Sequence, residues 1–196
     1  MAGGSIRLFN GVNLEGWRQA GPGGFRIEKR MLMTEGGLGL LWYSARQFGN
    51  FELRVDWKVT KRSDNSGVHV RFPRPTVACK PGGDPPIAID CGYEIQIDDE
   101  GAPDGEMVHK TGAIYGLQPP AKLASRQPGE WNTFVIRVEG NIYNVTLNGE
   151  PVIINFKGDR PLRGHIGLQN HSLEDRVFFR KLIILPLLSG TEQGDA

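Results

Sequence analysis

The sequence has 196 residues, of which 39% are hydrophobic, and this is enough for one well-buried domain. Its 23 basic and 22 acidic side chains nearly cancel without any block of like charge, so neither nucleic acid nor an anionic membrane is an expected partner. The 27 glycines and 13 prolines are typical of many short strands joined by turns. We therefore predict a single domain over residues 1–196.

The amino-terminal segment lacks the charged start and apolar run of a secretory signal peptide, and no stretch has the length of a membrane span. The compartment stays open, because a signal that had been removed would place the protein in the periplasm or outside the cell, and otherwise it would be cytoplasmic. Cys79 and Cys91 flank a Gly/Pro-rich loop. They could close a short disulfide or remain two buried thiols, and their spacing does not decide between these states.

Alternation of apolar and polar residues predicts strands along most of the chain, while helical periodicity is almost absent. In one of them the pattern places Val68, Val70 and Phe72 in the core, with His69 and Arg71 on the opposite face. Short strands joined by turns predict an all-β fold, an antiparallel β-sandwich or jelly roll. The clearest strand segments are FELRVDWKVT (51–60), SGVHVRF (66–72), GYEIQI (92–97), WNTFVIRVEG (131–140), IYNVTLNGEPV (142–152), GHIGLQNH (164–171) and RVFFRKLIILPL (176–187).

Polar side chains of three of these strands should collect on one face, flanked by the two long loops 73–92 and 98–112. The face is rich in side chains that hydrogen-bond directionally to hydroxyls, which favours a sugar-like ligand. Purely structural interpretations stay open: an ion pair of Arg71 with Glu94 or Asp98, a surface or packing role for His165, or a solvated face that binds no ligand. The face comprises His69, Arg71, Glu94, Gln96, Asp98, His165, Gln169 and His171.

Ordinary glycoside hydrolysis meets a geometric obstacle on this face. The spacing of Glu94, Gln96 and Asp98 resembles the catalytic strand of retaining glucanases, which needs two carboxyl groups about 5 to 5.5 Å apart. Residues four apart on a flat strand lie about 13 Å apart, and Gln96 cannot ionise. Glu94 is therefore the best catalytic candidate, and Asp98 is predicted to anchor a loop.

Six segments in order resemble the bacterial 3-keto-disaccharide hydrolase domain family: LFNGVNLEGW, FELRVDWKVTKRSDNSGVHVRF, GYEIQIDD, TGAIYGLQPP, PGEWNTFVIRVEGNIYNVTLNGEPV and GHIGLQNHSLEDRVFFRKLIILPL. The resemblance implies a concanavalin A-like lectin/glucanase jelly roll that acts on sugars oxidised at C3, often beside a separate sugar oxidoreductase. The positions that match the family are Asn65, Ser66, Gly67, Arg71, Glu94, Gln96, Thr111, Gly112, Tyr115, Gln169 and His171.

A C3 ketone acidifies the C2 proton, so one base can start an elimination without a pair of opposed carboxylates. We hypothesise that Glu94 or His171 is the base and that Arg71 or a bound cation stabilises the enolate. Gln96 and Gln169 would hold hydroxyls. The remaining expected substrate contacts are His69, Asn65, Tyr115 and His109.

No cofactor is certain, but a divalent metal is conceivable if His69, Glu94, His109 and His171 converge. The main alternative function is a non-catalytic carbohydrate-binding module of the same fold. Such modules usually present exposed aromatic platforms, whereas the tryptophans here mostly occupy apolar registers. Further alternatives are a cell-surface interaction domain and an ordinary endo-glucanase.

Overall fold

The computed structural model describes residues 4–75 and 90–188, which form two antiparallel β-sheets. One short 3₁₀ helix, Met107–His109, lies between β8 and β9. Within the described ranges no helix is long and apolar enough to cross a membrane. The strands are β1 (Ile6–Arg7), β2 (Trp17–Ala20), β3 (Gly24–Glu28), β4 (Met31–Glu35), β5 (Gly39–Tyr43), β6 (Phe51–Val59), β7 (Ser66–Phe72), β8 (Tyr93–Ile97), β9 (Asn132–Glu139), β10 (Ile142–Leu147), β11 (Glu150–Lys157), β12 (His165–Asn170) and β13 (Val177–Pro186).

The larger sheet has the order β11-β10-β9-β6-β13-β4-β3, with β1 also paired to β13. The smaller sheet has the order β2-β5-β12-β7-β8. Strands distant in sequence are neighbours in both sheets, as when β12 lies between β5 and β7. The predicted all-β antiparallel sandwich is confirmed. The strands before Phe51 were not predicted, because they are short and β5 is a continuous apolar run without alternation.

One hydrophobic core lies between the sheets and is built by the predicted alternation. On β6, Phe51, Leu53 and Trp57 are fully buried, and on β8 Tyr93 and Ile95 meet them from the other sheet. The opposite face of β8 carries Glu94 and Gln96, as expected from the side-chain period of two. The predicted alternatives for Cys79 and Cys91 involve Cys79, which falls in 76–89, outside the described residues.

A β-bulge at Arg71 corrects the predicted orientation of two side chains. Arg71 has a φ of 55°, and the pairing of β12 with β7 shifts so that His165 faces Phe72 while Ile166 faces Val70. One extra residue reverses the alternation beyond it. Phe72 therefore leaves the core face and packs with Leu40 and Trp42 on the outer face of the smaller sheet.

Arg71 turns the other way and is fully buried. Its guanidinium donates hydrogen bonds to the carbonyl oxygens of Gly49, at 2.8 Å and 3.1 Å, and of Gly140. It also donates to the Tyr143 hydroxyl at 3.3 Å and to Asn50 Oδ1 at 3.3 Å. Both sequence-based roles for Arg71, as enolate stabiliser and as ion partner of Glu94 or Asp98, are thus corrected. The guanidinium ties loop carbonyls together and forms no ion pair with Glu94 or Asp98.

The Arg71→Met variant should lose about 3 kcal/mol of unfolding free energy, because the carbonyl oxygens that accept hydrogen bonds from Arg71 are left without a donor. Chemical denaturation measures this loss. The matched control is Arg163→Met on the surface, which should change stability by no more than about 0.5 kcal/mol. If Arg71→Met had unchanged stability but had lost its catalytic rate, a catalytic role of Arg71 would be supported instead.

Candidate active site

The segment 111–118 covers the edge of β8 that carries Glu94. The backbone N–H of Gln96 donates to the carbonyl oxygen of Ala113 at 3.0 Å, and the backbone N–H of Gly112 donates to the carbonyl oxygen of Gln96 at 2.9 Å. Tyr115 N donates to Glu94 O at 3.0 Å. These bonds extend the sheet by a short irregular stretch, and they place the Tyr115 side chain beside that of Glu94.

Asp98 holds the loop that follows β8. Its Oδ1 accepts hydrogen bonds from the backbone amides of Glu100 and Gly101, both at 2.9 Å. Its Oδ2 accepts from Ala102 N at 2.8 Å and from Asn65 Nδ2 at 3.1 Å. The predicted loop-anchoring role of Asp98 is confirmed. With both oxygens occupied and the side chain buried, this carboxylate is not free to act as a second catalytic group.

A cavity of about 320 Å³ opens above the polar face, near the lower end of the size range of small-molecule sites. Six of the nine residues predicted for the site lie in its lining, and their roles remain proposals. Two rim residues that the sequence did not single out, Ala102 and Pro103, belong to the loop held by Asp98. The lining consists of Asn65, Glu94, Gln96, Ala102, Pro103, Tyr115, Gln169 and His171.

Glu94 lies at the floor of this cavity and is only 2% exposed. Burial away from water raises the pKa of its carboxyl from 4.5 to about 8. Near neutral pH the group is therefore mostly protonated and can donate a proton. A carboxyl with such a pKa at a ligand-sized cavity is typical of catalytic sites.

The Glu94 carboxyl fits only because Gly67, the residue of β7 that pairs with Gln96 and lies diagonally across from Glu94, has no side chain. A Cβ atom on Gly67 would lie 1.9 Å from Glu94 Oε1. The Gly67→Ala variant should therefore displace the carboxyl and lower kcat by about tenfold or more, because misplaced catalytic groups lose rate steeply. Steady-state kinetics measure the effect.

Gly49→Ala is the matched control for Gly67→Ala, since its added methyl would meet only Leu162 O at 3.9 Å. That control should keep the parental kcat. If Gly67→Ala also kept it, the placement of Glu94 over Gly67 would be wrong.

His171 pairs with Asp175, a residue that sequence reasoning missed. His171 Nδ1 lies 3.3 Å from Asp175 Oδ2, and Asn65 N donates to Asp175 Oδ1 at 3.0 Å. The hydrogen bond that the His171 ring donates to the Asp175 carboxylate raises the pKa of this half-exposed ring. The signal available in the sequence was an acid four residues after the histidine in HSLED. His171 lines the cavity, and its Nε2 has no hydrogen bond among the described residues.

His69 lies behind Glu94 instead of lining the cavity, which corrects its predicted role as a substrate contact. Burial lowers the pKa of the His69 ring to about 3, so the ring is neutral. Its Nε2 lies 3.7 Å from Glu94 Oε1. His165 has the packing role that the sequence allowed, with its ring 4.7 Å from that of Trp42 and Nδ1 2.9 Å from Tyr43 O.

The four side chains considered as metal ligands do not converge. His109 pairs with Asp104 at 2.8 Å and packs against the Tyr115 ring, with centroids 5.0 Å apart, while His171 pairs with Asp175. Across 4–75 and 90–188, no group of three or more His, Cys, Asp or Glu side chains could hold a metal ion. His109 therefore supports the cavity wall from behind Tyr115.

The fold first defines the class of protein. The lumenal domain of VIP36, solved with Ca²⁺ and Man3GlcNAc, has a similar sandwich with a TM-score of 0.61 and 12% identity, covering 96% of this chain and 90% of that one. This likeness establishes the lectin-type fold. A Parabacteroides distasonis protein provisionally assigned as a glycosyl hydrolase is closer, with a TM-score of 0.78, 22% identity and 94% of each chain covered.

The family follows from the sequence comparison. The model of the 3-keto-alpha-glucoside-1,2-lyase-like domain matches residues 4–185, and the chain belongs to this family. It is 30% identical over 228 aligned positions to the 3-keto-disaccharide hydrolase of Bacteroides thetaiotaomicron, covering 92% of this chain and 78% of that protein. The protein is thus a member of a family of glycosidase-like enzymes.

Proposed function

We propose that this protein cleaves glycosides whose C3 hydroxyl has been oxidised to a ketone, by elimination across C1 and C2 followed by addition of water. Family membership supports the substrate class. The observation that carries the proposal is the content of the cavity, which pairs one buried carboxyl, Glu94, with a histidine supported by an aspartate.

An ordinary glycosidase needs two carboxyl groups about 5 to 9.5 Å apart. Among the described residues that line the cavity, Glu94 is the single carboxyl. Asp98 is occupied by the loop that it anchors, as shown by its bonds to Gly101 and Ala102. The site therefore suits a reaction that requires one acid and one base of different kinds.

The ketone makes such a reaction possible. A base removes the proton at C2, the electron pair forms an enolate with the C3 carbonyl, and the C1–O bond then breaks as a C1=C2 double bond forms. The leaving glycosidic oxygen takes a proton from the acid and departs as an alcohol. Water adds at C1 and a proton returns to C2, which gives the free 3-keto sugar. Proton transfers by positioned side chains are each worth about 10² to 10⁴ in rate.

We assign the base to His171 and the acid to Glu94. Near neutral pH the Glu94 carboxyl, with its pKa of about 8, already carries the proton that the leaving oxygen needs. Asp175 makes the His171 ring more basic and leaves its Nε2 free for the C2 proton. Activity should fall below the pKa of His171 as the base becomes protonated, and above about pH 8 as the acid ionises.

Further polar groups of the cavity suit the rest of the substrate. Arg71 is committed elsewhere, so the Tyr115 hydroxyl, whose pKa is raised by burial and by Glu94, is the donor that we assign to the enolate oxygen. Asn65 Oδ1 and Gln169 Oε1 are buried without a hydrogen-bond partner among the described residues. Both are acceptors that sugar hydroxyls would satisfy.

The substrate implies a preceding reaction. A 3-keto glycoside arises from the parent glycoside by loss of two electrons and two protons at C3, so a separate sugar oxidoreductase must supply it. The protein would act directly after that oxidation.

The alternative is a carbohydrate-binding module without catalysis, and three tryptophans of the described residues, 4–75 and 90–188, offer it no open stacking surface. Trp57 and Trp42 are buried, and Trp131 lies beneath the guanidinium of Arg180 at 3.8 Å and the ammonium of Lys58 at 5.2 Å. These cations occupy the face on which a sugar ring would stack.

Incubation of the protein with a small panel of 3-keto glycosides and their parent glycosides tests the proposal. We expect loss of the keto glycoside with release of the alcohol, and no cleavage of the parent. Binding of the parent glycan without turnover of the keto form would instead identify a binding module. Cleavage of parent β-glucan would identify an endo-glucanase.

A further inference from the structure

The two oxygens of the Glu94 carboxyl lie in different surroundings. Oε1 lies against the sheet, because it occupies the space that a side chain on Gly67 would fill. Glu94 also lines the cavity. Oε2 is therefore the oxygen left to meet a ligand.

Gln96 donates a hydrogen bond toward Oε1. One end of its amide lies 3.0 Å from Ser66 O, which can only accept, so this end is the nitrogen. The same nitrogen lies 3.3 Å from Glu94 Oε1, within reach of its second hydrogen. The amide nitrogen of Gln96 is thus engaged by the protein itself, while the expected contact of Gln96 with a sugar hydroxyl stays a prediction for its amide oxygen.

His69 presents a second N–H dipole to the same oxygen. Its Nδ1 is buried without a partner among the described residues, and an orphaned N–H is costlier than an orphaned lone pair. The proton of the neutral ring therefore belongs on Nε2, which faces Oε1 at 3.7 Å. This separation is longer than a hydrogen bond, but in a buried site the dipole still acts on the oxygen.

We infer that His69 and Gln96 are positioning residues that fix Oε1 of Glu94 as the carbonyl oxygen and place the acidic proton on Oε2, toward the substrate. The inference deepens the proposed function and rests on it for the role of that proton. The Gln96 hydrogen bond and the His69 N–H dipole on Oε1 also stabilise the carboxylate that remains once Oε2 has released its proton to the leaving oxygen. The titratable groups that face this carboxyl are His69 on β7, Tyr115 on the covering segment and His171 across the cavity.

Infrared difference spectroscopy tests the assignment without substrate. Spectra recorded as the pH is raised through about 8 should show the C=O band of protonated Glu94, identified by its absence in Glu94→Gln. Loss of a donor to the carbonyl oxygen strengthens the C=O bond. The band should therefore move to higher wavenumber in His69→Phe and in Gln96→Met. It should return toward the parental position in His69→Gln, which restores an N–H.

Two variants on different strands keep the test valid if one fails to fold. In kinetics, both should lower kcat with little change of KM and move the alkaline limb of the pH profile upward, because the ionised carboxyl loses a donor. A band at the same wavenumber in both variants would overturn the inference, as would a rise of KM alone with an unmoved alkaline limb. If the bands shift and the parental protein leaves 3-keto glycosides uncleaved, the proposed function fails while the oxygen assignment stands.

Discussion

Replacing Glu94 with glutamine should lower kcat on a 3-keto glycoside by about a hundredfold or more, because the amide cannot deliver a proton to the leaving oxygen. The same variant should keep the exchange of the C2 proton with deuterated solvent, since His171 remains. The alkaline limb of the pH profile, set by the Glu94 pKa of about 8, should vanish. Steady-state kinetics and proton NMR measure these effects.

Stability provides a control for Glu94→Gln. The folded pKa of about 8 exceeds the ordinary value of 4.5, so folded protein keeps a proton that the unfolded chain releases, and stability falls as the pH rises across this window. The neutral amide avoids this loss, and the variant should unfold at no lower denaturant concentration near neutral pH. Glu106→Gln makes the same chemical change on the exposed loop and should leave kcat unaltered. Near-normal activity of Glu94→Gln would contradict the assignment of the acid.

Replacing His171 with alanine should also lower kcat by about a hundredfold or more, and here the exchange of the C2 proton should disappear. The different behaviour of the two variants separates base from acid. If His171→Ala kept the exchange and Glu94→Gln lost it, the two roles would be reversed. Leu173→Ala alters a 69% exposed side chain on the same loop and serves as control.

Asp175 offers a graded version of the His171 experiment. Its hydrogen bond raises the pKa of His171, so Asp175→Asn should lower that pKa and move the acid limb of the pH profile to lower pH. The weaker base should also reduce kcat, though less than removal of the ring. An unmoved acid limb would place the base elsewhere.

The sequence predicted the sandwich and the polar face because alternation determines which side of a strand meets the core. Glu94 and Gln96 lie where the period of two places them. The same rule failed at Arg71, because a bulge depends on how β7 pairs with β12, which is a long-range contact. Arg71 and Phe72 therefore lie on the opposite faces of the sheet from those predicted. For this reason we assign the hydrogen bond to the enolate oxygen to Tyr115 instead of Arg71.

The partners of the site residues were harder to predict than the residues themselves. Asp175 reaches His171 across a short turn and is held by Asn65 N, from a segment far away in sequence. The position of His69 beneath Glu94 follows from strand register, which pairs these two residues across β7 and β8. Contacts of this kind, between a cavity-lining residue and the residue that supports it, arise from tertiary packing and leave little signal in a single sequence.

The most direct test of the central claim uses a 3-keto glycoside carrying deuterium at C2. If elimination begins with removal of that proton, the label should slow turnover and be lost to solvent, and the parent glycoside should remain intact. Cleavage that retains the C2 deuterium, or equal cleavage of the unoxidised glycoside, would contradict the proposed mechanism.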